Sequence, residues 1–443
     1  MMLKAFNKYI SSNNLTNKNE KILIGLSGGR DSIFLTTLFK LSGYNISVAH
    51  CNFNLRGEES YKEQTFVEAF AKQNSLEFFT VNFNTKKYAT KKAISIQMAA
   101  RELRYNWFEK IRKEKNFDKI AIAHNKNDSV ETFLINLTRG TGIKGLTGIK
   151  PKNGNIIRPI LFVERNEITK YLNNNNIAWK DDSSNKLDKY TRNNIRHNII
   201  PEFEQINSDF ISTMQKNIER LDSVYKIYNN EINLKRKKIL IKQTDKTLIN
   251  IDILNNIAPL NTYLFEFLKE FNFTPEQIPE IIDITNSISG KQVISPTHRI
   301  IKDRDYLIIS EINIIQKNQE FIIAKGAIEI NVPIHIHIDM FNKKNYNIPK
   351  QKNIASFDYN KLKFPLKLRK WENGDKFKPL GMTNYKKLSD YFINNKFSII
   401  DKEKTWLLTN CNNNIIWIIN NRIDNRFKIS ENTDKIIQFT YFE

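Results

Sequence analysis

Six consecutive residues, Ser27-Gly28-Gly29-Arg30-Asp31-Ser32, carry the densest chemistry in this sequence. The apolar run Ile22-Leu23-Ile24-Gly25-Leu26 precedes them, and a stretch with apolar residues at helical spacing follows. Two glycines permit positive φ and let backbone N–H groups close around an anion, while Ser27 and Ser32 add hydroxyl donors at a helix N-terminus. The chemistry implied is capture of a phosphate or pyrophosphate. The spacing differs from the Gly-x-x-x-x-Gly-Lys-Ser/Thr loop, which sets a lysine on the outer phosphates, and from the Gly-x-Gly-x-x-Gly dinucleotide fingerprint. An ordinary strand-to-helix turn would not need these residues together.

The elements that must hold this loop are legible as a pattern. Lys21 to Leu26, Asn45 to Cys51, Leu76 to Phe83 and Lys119 to Ala123 read as strands. Ser32 to Leu41, Ser60 to Asn74, Ala93 to Lys115 and Ser129 to Arg139 read as helices between them. This alternation predicts an α/β, doubly wound parallel sheet, in which ligands bind at the C-terminal strand ends. Glycines at 140, 142, 145 and 148 mark a sharp turn. The alternation stops at Glu202, where a long amphipathic stretch runs to about Asn233 and into Lys235-Arg236-Lys237-Lys238. We therefore divide the chain into residues 1–210, a catalytic Rossmann-like domain, 211–350, a mostly helical α+β middle domain, and 351–443, a small basic α+β domain.

A chain of 443 residues with net charge +22 suits several domains and a partner rich in phosphates. An AT-rich genome would also raise Lys, Asn and Ile throughout, so charge alone does not decide for nucleic acid. Two cysteines, Cys51 and Cys411, offer no CxxC pair for zinc or thiol exchange. His335 and His337 fit the outward face of the strand Ile334 to Ile338 better than a metal site. No apolar stretch approaches the roughly 20 residues that span a bilayer, and the first residues lack a secretory signal, so a cytoplasmic protein without membrane contact is expected.

The strand-loop-helix around Ser27 to Ser32 resembles the PP-loop of the N-type ATP pyrophosphatases, which cleave ATP between the α and β phosphates. Further motifs look like those of the tRNA(Ile)-lysidine synthetase family: Ala49 to Arg56, Ala100-Arg101-Glu102-Leu103-Arg104-Tyr105, and Ala123-His124-Asn125-Lys126-Asn127-Asp128-Ser129-Val130-Glu131-Thr132. Arg139-Gly140-Thr141-Gly142, Arg158-Pro159, Asp182-Ser183-Ser184-Asn185 and Arg192-Asn193-Asn194-Ile195-Arg196 continue the likeness, which resumes at Arg369 to Met382 and Asn420 to Asp424. Asn127 departs from the family pattern, which usually shows two adjacent aspartates there, so the metal carboxylates carried over are Asp31 and Asp128 only.

The resemblance implies ATP and Mg²⁺ as cofactors, and adenylation of C2 of the wobble cytidine in an isoleucine tRNA with a CAU anticodon. Free L-lysine then displaces AMP, and the codon read changes from AUG to AUA. It gives Ser27, Gly28, Gly29, Arg30, Asp31 and Ser32 as the nucleotide cradle, with Asp31, Asp128, Arg101 and Arg192 as catalytic residues and Arg104 and Arg196 as further charge-neutralising candidates. Basic residues at 235–238 and 366–371, with Lys376, Lys378, Lys386 and Lys387, are expected to follow tRNA phosphates, with Trp371 or Tyr385 stacking on a base. The sequence also allows a homodimer. The rival reading is a PP-loop tRNA thiolation enzyme, which would rely on cysteines or an iron-sulfur cluster. A non-catalytic RNA-binding protein that retained the fold is a further alternative, which the intact loop and Asp31 disfavour.

Overall fold

The structure, a computed structural model, describes residues 1–55, 57–180, 191–312 and 320–442. Arg56 and the motif Asp182-Ser183-Ser184-Asn185 lie outside the described residues. The chain forms two compact units, Met1–Glu231 and Ile232–Glu443.

The first unit begins with helix α1 (Met2–Ser12) and then alternates: β1 (Lys21–Gly25), α2 (Arg30–Leu41), β2 (Asn45–Asn52), α3 (Glu58–Gln73), β3 (Phe78–Asn82), α4 (Thr85–Lys92), α5 (Ile96–Glu114), β4 (Lys119–Ala121), α6 (Lys126–Arg139), β5 (Lys152–Asn153), β6 (Ile156–Ile157) and α7 (Arg165–Asn174). The sheet order is β3-β2-β1-β4-β6-β5, parallel throughout except for the β5–β6 hairpin. Strand residues alternate between two cores. Ile22, Ile24 and Val48 pack with Phe6, Phe34 and Phe39, whereas Leu23 and Ala49 face Phe108 and Ile111. Both faces are thus covered by helices, and each fully buried side chain of this size contributes roughly 1.5–3 kcal/mol.

The doubly wound parallel sheet agrees with the sequence pattern, and the differences are local. The predicted helix Ala93 to Lys115 begins later, at Ile96, because Ala93 takes a left-handed φ of 52° that ends a separate helix, α4. The predicted strand Lys119 to Ala123 stops at Ala121, since the next residues leave the sheet to form the site. Beyond α7 come α8 (Thr191–Asn194), a π-helical turn (Ile195–Ile199), α9 (Ile200–Ile206) and α10 (Phe210–Ile239). Pro201, with no N–H to give, directly follows Ile200 and disfavours a regular α-helical ladder at this point. The amphipathic stretch from Glu202 is two helices separated at Asn207, which is extended (φ −143°, ψ 104°), and the basic run 235–238 lies in the last turns of α10.

The second unit is richer in strand. Leu240–Lys242, Thr247–Asn250, Gln292–Ile294, His298–Asp303 and Tyr306–Glu311 form one sheet, accompanied by helices Ile251–Asn255, Leu260–Leu268 and Ile278–Thr285. The turn Asp303-Arg304-Asp305 joins an antiparallel pair with Arg304 at φ 52°. Two further sheets share a core built around Trp417, Phe357 and Phe439. His335 and His337 are half-buried between buried Ile336 and Ile338 on a strand, as alternation predicts. No helix among the described residues is long and apolar enough to cross a membrane.

Candidate active site

Strand β1 lies between β2 and β4, and the chain leaves it toward β2 before returning to β4 on the other side. That reversal opens a crevice at the C-terminal strand ends. A cleft of about 350 Å³ occupies it, lined by Ser27, Gly29, Arg30, Asp31 and Ser32 together with residues at the C-terminal end of β2 and residues that follow β4. Gly28 has φ +84°, a conformation side chains rarely adopt, and a Cβ there would crowd Val67 Cγ2 at 3.0 Å. Gly29 caps α2 in an extended conformation, leaving the first N–H groups of a 12-residue helix at the loop. The Ser32 hydroxyl donates to the Gly29 carbonyl at 2.9 Å and lies 3.2 Å from Ser27 Oγ, so it braces the loop from within.

Asp31, in the first turn of α2, meets α6 through Asn125. Asn125 Oδ1 accepts from the Asp128 N–H and Asp128 Oδ2 accepts from the Asn125 N–H, both at 3.0 Å, a reciprocal cap of α6. The Asn125 amide also donates to Asp31 Oδ2 at 3.1 Å. Asn125 thereby joins the two carboxylates named from sequence. Burial, followed by the Asp128 charge, holds the Asp31 carboxyl above its ordinary range, although Arg165, Arg30 and Arg196 pull the other way. Asp31 Oδ1 is buried without a hydrogen-bond partner. Asn127, the departure from the family pattern, points elsewhere: its Oδ1 accepts from the Arg165 N–H at 3.0 Å.

Asp128 and Glu131 are one turn apart on α6, and both are buried. Glu131 is fully buried and anchors three guanidinium groups: Arg196 Nε at 2.7 Å, Arg165 Nη2 at 3.1 Å and Arg192 Nε at 3.3 Å. Arg196 and Arg165 also approach Asp128 Oδ1, at 3.7 and 3.5 Å. Arg192 Nη2 donates to Thr132 Oγ1 at 2.8 Å, which keeps it beside α6, outside the cleft lining that includes Arg196. Arg101 is exposed and lies 4.9 Å over the Tyr105 ring, whereas Arg104 lines the cleft above Phe53. Sequence reasoning missed Arg165 and gave Glu131 no role. The spacing of Glu131 from Asp128 on a helix was a usable signal; nothing around Arg165 was.

Two histidines face the cleft with opposite polarity. His50 Nδ1 lies 2.9 Å from the Leu26 carbonyl, which only accepts, so Nδ1 carries the proton. His124, just past β4, has Nδ1 3.0 Å from Arg158 Nε, which only donates. Burial and the charges of Arg158, Arg192, Arg101 and Arg104 push the His124 imidazole down to about 3. Burial lowers His50 as well. Burial pushes the Cys51 thiol in the same cleft up to about 12, which leaves it a poor nucleophile.

In the second unit, several basic residues expected to meet phosphates are engaged in the fold. Arg369 is buried in a two-pronged ion pair with Asp375 at 2.7 and 2.8 Å, and Lys367 pairs with Glu320 at 2.9 Å. Lys370 lies 4.0 Å over the Trp406 ring and burial lowers it to about 8. Trp371 packs edge-on against Phe392 and, partly buried, lies against a core cluster. Tyr385 is different. It is half exposed, with Lys376, Lys378 and Arg426 at 5.3, 4.8 and 5.2 Å from its ring.

A family model described as a PP-loop domain matches residues 2–203, and one described as the TilS substrate binding domain matches residues 242–312. A tRNA(Ile)-lysidine synthase of Bacteroides thetaiotaomicron is 41% identical over 431 residues, covering 97% of this chain and 97% of that protein. One of Parabacteroides distasonis is 40% identical over 442 residues, covering 98% and 99%. Among solved structures, a tRNA thiolase of Methanococcus maripaludis with an iron-sulfur cluster aligns at TM-score 0.42 and 18% identity, over 50% of this chain and 79% of that one. That likeness is too slight to carry function.

Proposed function

The chain belongs to the tRNA(Ile)-lysidine synthase family, ATP-dependent ligases with a PP-loop, and on that premise we propose that its N-terminal cleft adenylates the wobble cytidine of a CAU-bearing isoleucine tRNA and passes C2 to lysine. The cytidine O2 attacks the α-phosphorus of ATP, the bond to the α,β-bridging oxygen breaks, and pyrophosphate leaves. The neutral ε-amine of free lysine then attacks C2, AMP departs, and the nitrogen loses a proton. The lysidine formed pairs with A, which moves decoding from AUG to AUA.

The observation that carries this reading is the meeting of an anion-cradling loop with Asp31, whose buried Oδ1 lacks a hydrogen-bond partner. A buried carboxylate oxygen with no hydrogen bond, faced by the Arg30 guanidinium at 3.6 Å and near a second carboxylate, has room in its lone pairs for a hard divalent cation, and Asp31 with Asp128 would hold Mg²⁺. No cluster of three or more acidic, His or Cys ligands exists among the described residues, consistent with an ion that keeps waters and takes phosphate oxygens. When bound, Mg²⁺ neutralises charge on the departing pyrophosphate. The Ser27–Ser32 loop, whose Ser27 N–H is occupied by Ser32 Oγ at 3.2 Å, would hold the phosphates through the remaining N–H groups at Gly28 and the start of α2 and through its hydroxyls. Arg196, Arg165 and Arg104 supply positive charge inside the cleft, and Arg101 and Arg192 act from its rim. Residues 211–350 and 351–443 bind tRNA, with Tyr385 and its three cations as one contact.

The test is incubation of the protein with ATP, Mg²⁺, labelled lysine and unmodified isoleucine tRNA bearing CAU. Label should enter RNA only when all four are present. Sulfur incorporation, or pyrophosphate release with no lysine attached, would return the thiolation reading, which the raised Cys51 thiol already disfavours.

A further inference from the structure

The two cleft histidines have their protons assigned by neighbours that cannot change role. A guanidinium has only donors, so the 3.0 Å contact from Arg158 Nε requires a lone pair on His124 Nδ1. The single proton of the neutral ring is then on Nε2. Arg158 is itself fixed: it is buried, and its Nη1 donates to the Lys150 carbonyl at 2.8 Å. Among the described residues no protein atom accepts from His124 Nε2, and the ring lines the cleft at the crevice between β1 and β4.

We propose that Arg158 locks His124 as a neutral Nε2–H imidazole, a fixed hydrogen-bond donor for an oxygen of the nucleotide being adenylated, and so bars it from serving as a general base. The proposal rests on the reading of this cleft as the ATP site. Burial and the strongest neighbouring charges on His124, those of Arg158, Arg192, Arg101 and Arg104, all disfavour an imidazolium. A neutral donor aimed at developing negative charge needs no proton transfer, only a preset direction. Arg158 acts through His124 and is a positioning residue. His50, fixed by the Leu26 carbonyl in the opposite tautomer, presents an acceptor at Nε2 and serves as an internal reference.

The experiment labels the full chain with ¹⁵N-histidine and records multiple-bond ¹H–¹⁵N spectra without ligand, assigned with H124Q and H50Q. His124 should show the Nε2–H pattern from about pH 5.5 to 8.5, and His50 the Nδ1–H pattern. Arg158→Gln, whose amide can either donate or accept, should release His124 to a tautomer mixture. In pyrophosphate release with tRNA present, H124Q, which keeps a terminal N–H donor, should stay within about tenfold of wild type. H124L should lose about 100-fold in kcat with a smaller change in KM for ATP. An Nδ1–H or imidazolium signature for His124 at neutral pH would overturn the proposal, as would H124Q falling as far as H124L. The ligand-free spectrum is independent of the reaction, so absence of lysidine from the wild type would instead remove the proposed function.

Discussion

At the scale of single residues, Asp31 and His124 show how burial and neighbours, more than residue type, set chemical character. Asp31 combines a raised carboxyl, a neighbouring carboxylate and a buried oxygen with no hydrogen bond, paired only with Arg30 at 3.6 Å. Asp31→Ala should reduce pyrophosphate release by at least about 100-fold while tRNA binding, measured by filter retention, stays near wild type. Retained turnover would take Asp31 out of the mechanism. His124 gives a stability prediction. Its folded-state pKa is about 3 against an ordinary 6.5, so as pH falls the unfolded chain takes the proton first. The stability contributed is complete above about pH 6.5 and declines toward pH 3, by at most about 1.4 kcal/mol per pH unit. Thermal melts between pH 7 and 5 should therefore shift downward more in wild type than in H124Q. Equal shifts would show that His124 titrates normally in the folded protein.

Among the elements, α6 organises the site. Its N-terminal cap joins Asp128 to Asn125 and, through the Asn125 amide, to Asp31 on α2. One turn later Glu131 ties the helix to α7 through Arg165 and to the segment after residue 190 through Arg192 and Arg196. Removing this carboxylate leaves three guanidinium groups without their shared anion. Glu131→Ala should cost about 3 kcal/mol in urea unfolding of the full chain, and Glu131→Gln, which keeps the shape and some hydrogen bonds, clearly less. An alanine variant as stable as wild type would mean that the arginines find other partners or water at no cost. The Asp128 and Glu131 positions were visible in the motif quoted from sequence. Their joint role was not, because three of the four elements they connect are distant in the chain, and helix periodicity reports a shared face without saying what packs on it.

For the molecule as a whole, the net charge of +22 becomes interpretable once paired and unpaired cations are separated. Arg369, Lys367 and Arg236 are engaged with Asp375, Glu320 and Glu270, so the basic runs that contain them overstate the surface available to RNA. Lys376 and Lys378 gather instead around a half-exposed tyrosine, beside Arg426, which is itself held by Asp424 through a two-pronged ion pair at 2.8 and 3.0 Å. Affinity for tRNA should fall at least about 100-fold between roughly 50 and 200 mM salt. The double variant Lys376→Ala with Lys378→Ala should lower the slope of log K against log salt by about 1.5 to 2. A flat salt dependence, or an unchanged slope in that variant, would remove the patch from the binding surface.

The sequence by itself determined the parallel alternation of the first unit, the phosphate loop and the family, because these depend on local propensity and on short ordered motifs. Glycine at 28 and the apolar run before it suffice to specify a strand, a turn with positive φ and a helix N-terminus. Tertiary structure alone decided which side chains meet in the cleft: Arg165 and Arg196 inside it, Arg101 and Arg192 beside it, Trp371 against a core and Tyr385 in the open. It also decided the polarity of His50 and His124. A histidine's proton is assigned by what its ring nitrogens touch, and the Leu26 carbonyl and the Arg158 guanidinium reach those rings only when β1, β2, β4 and β6 lie side by side.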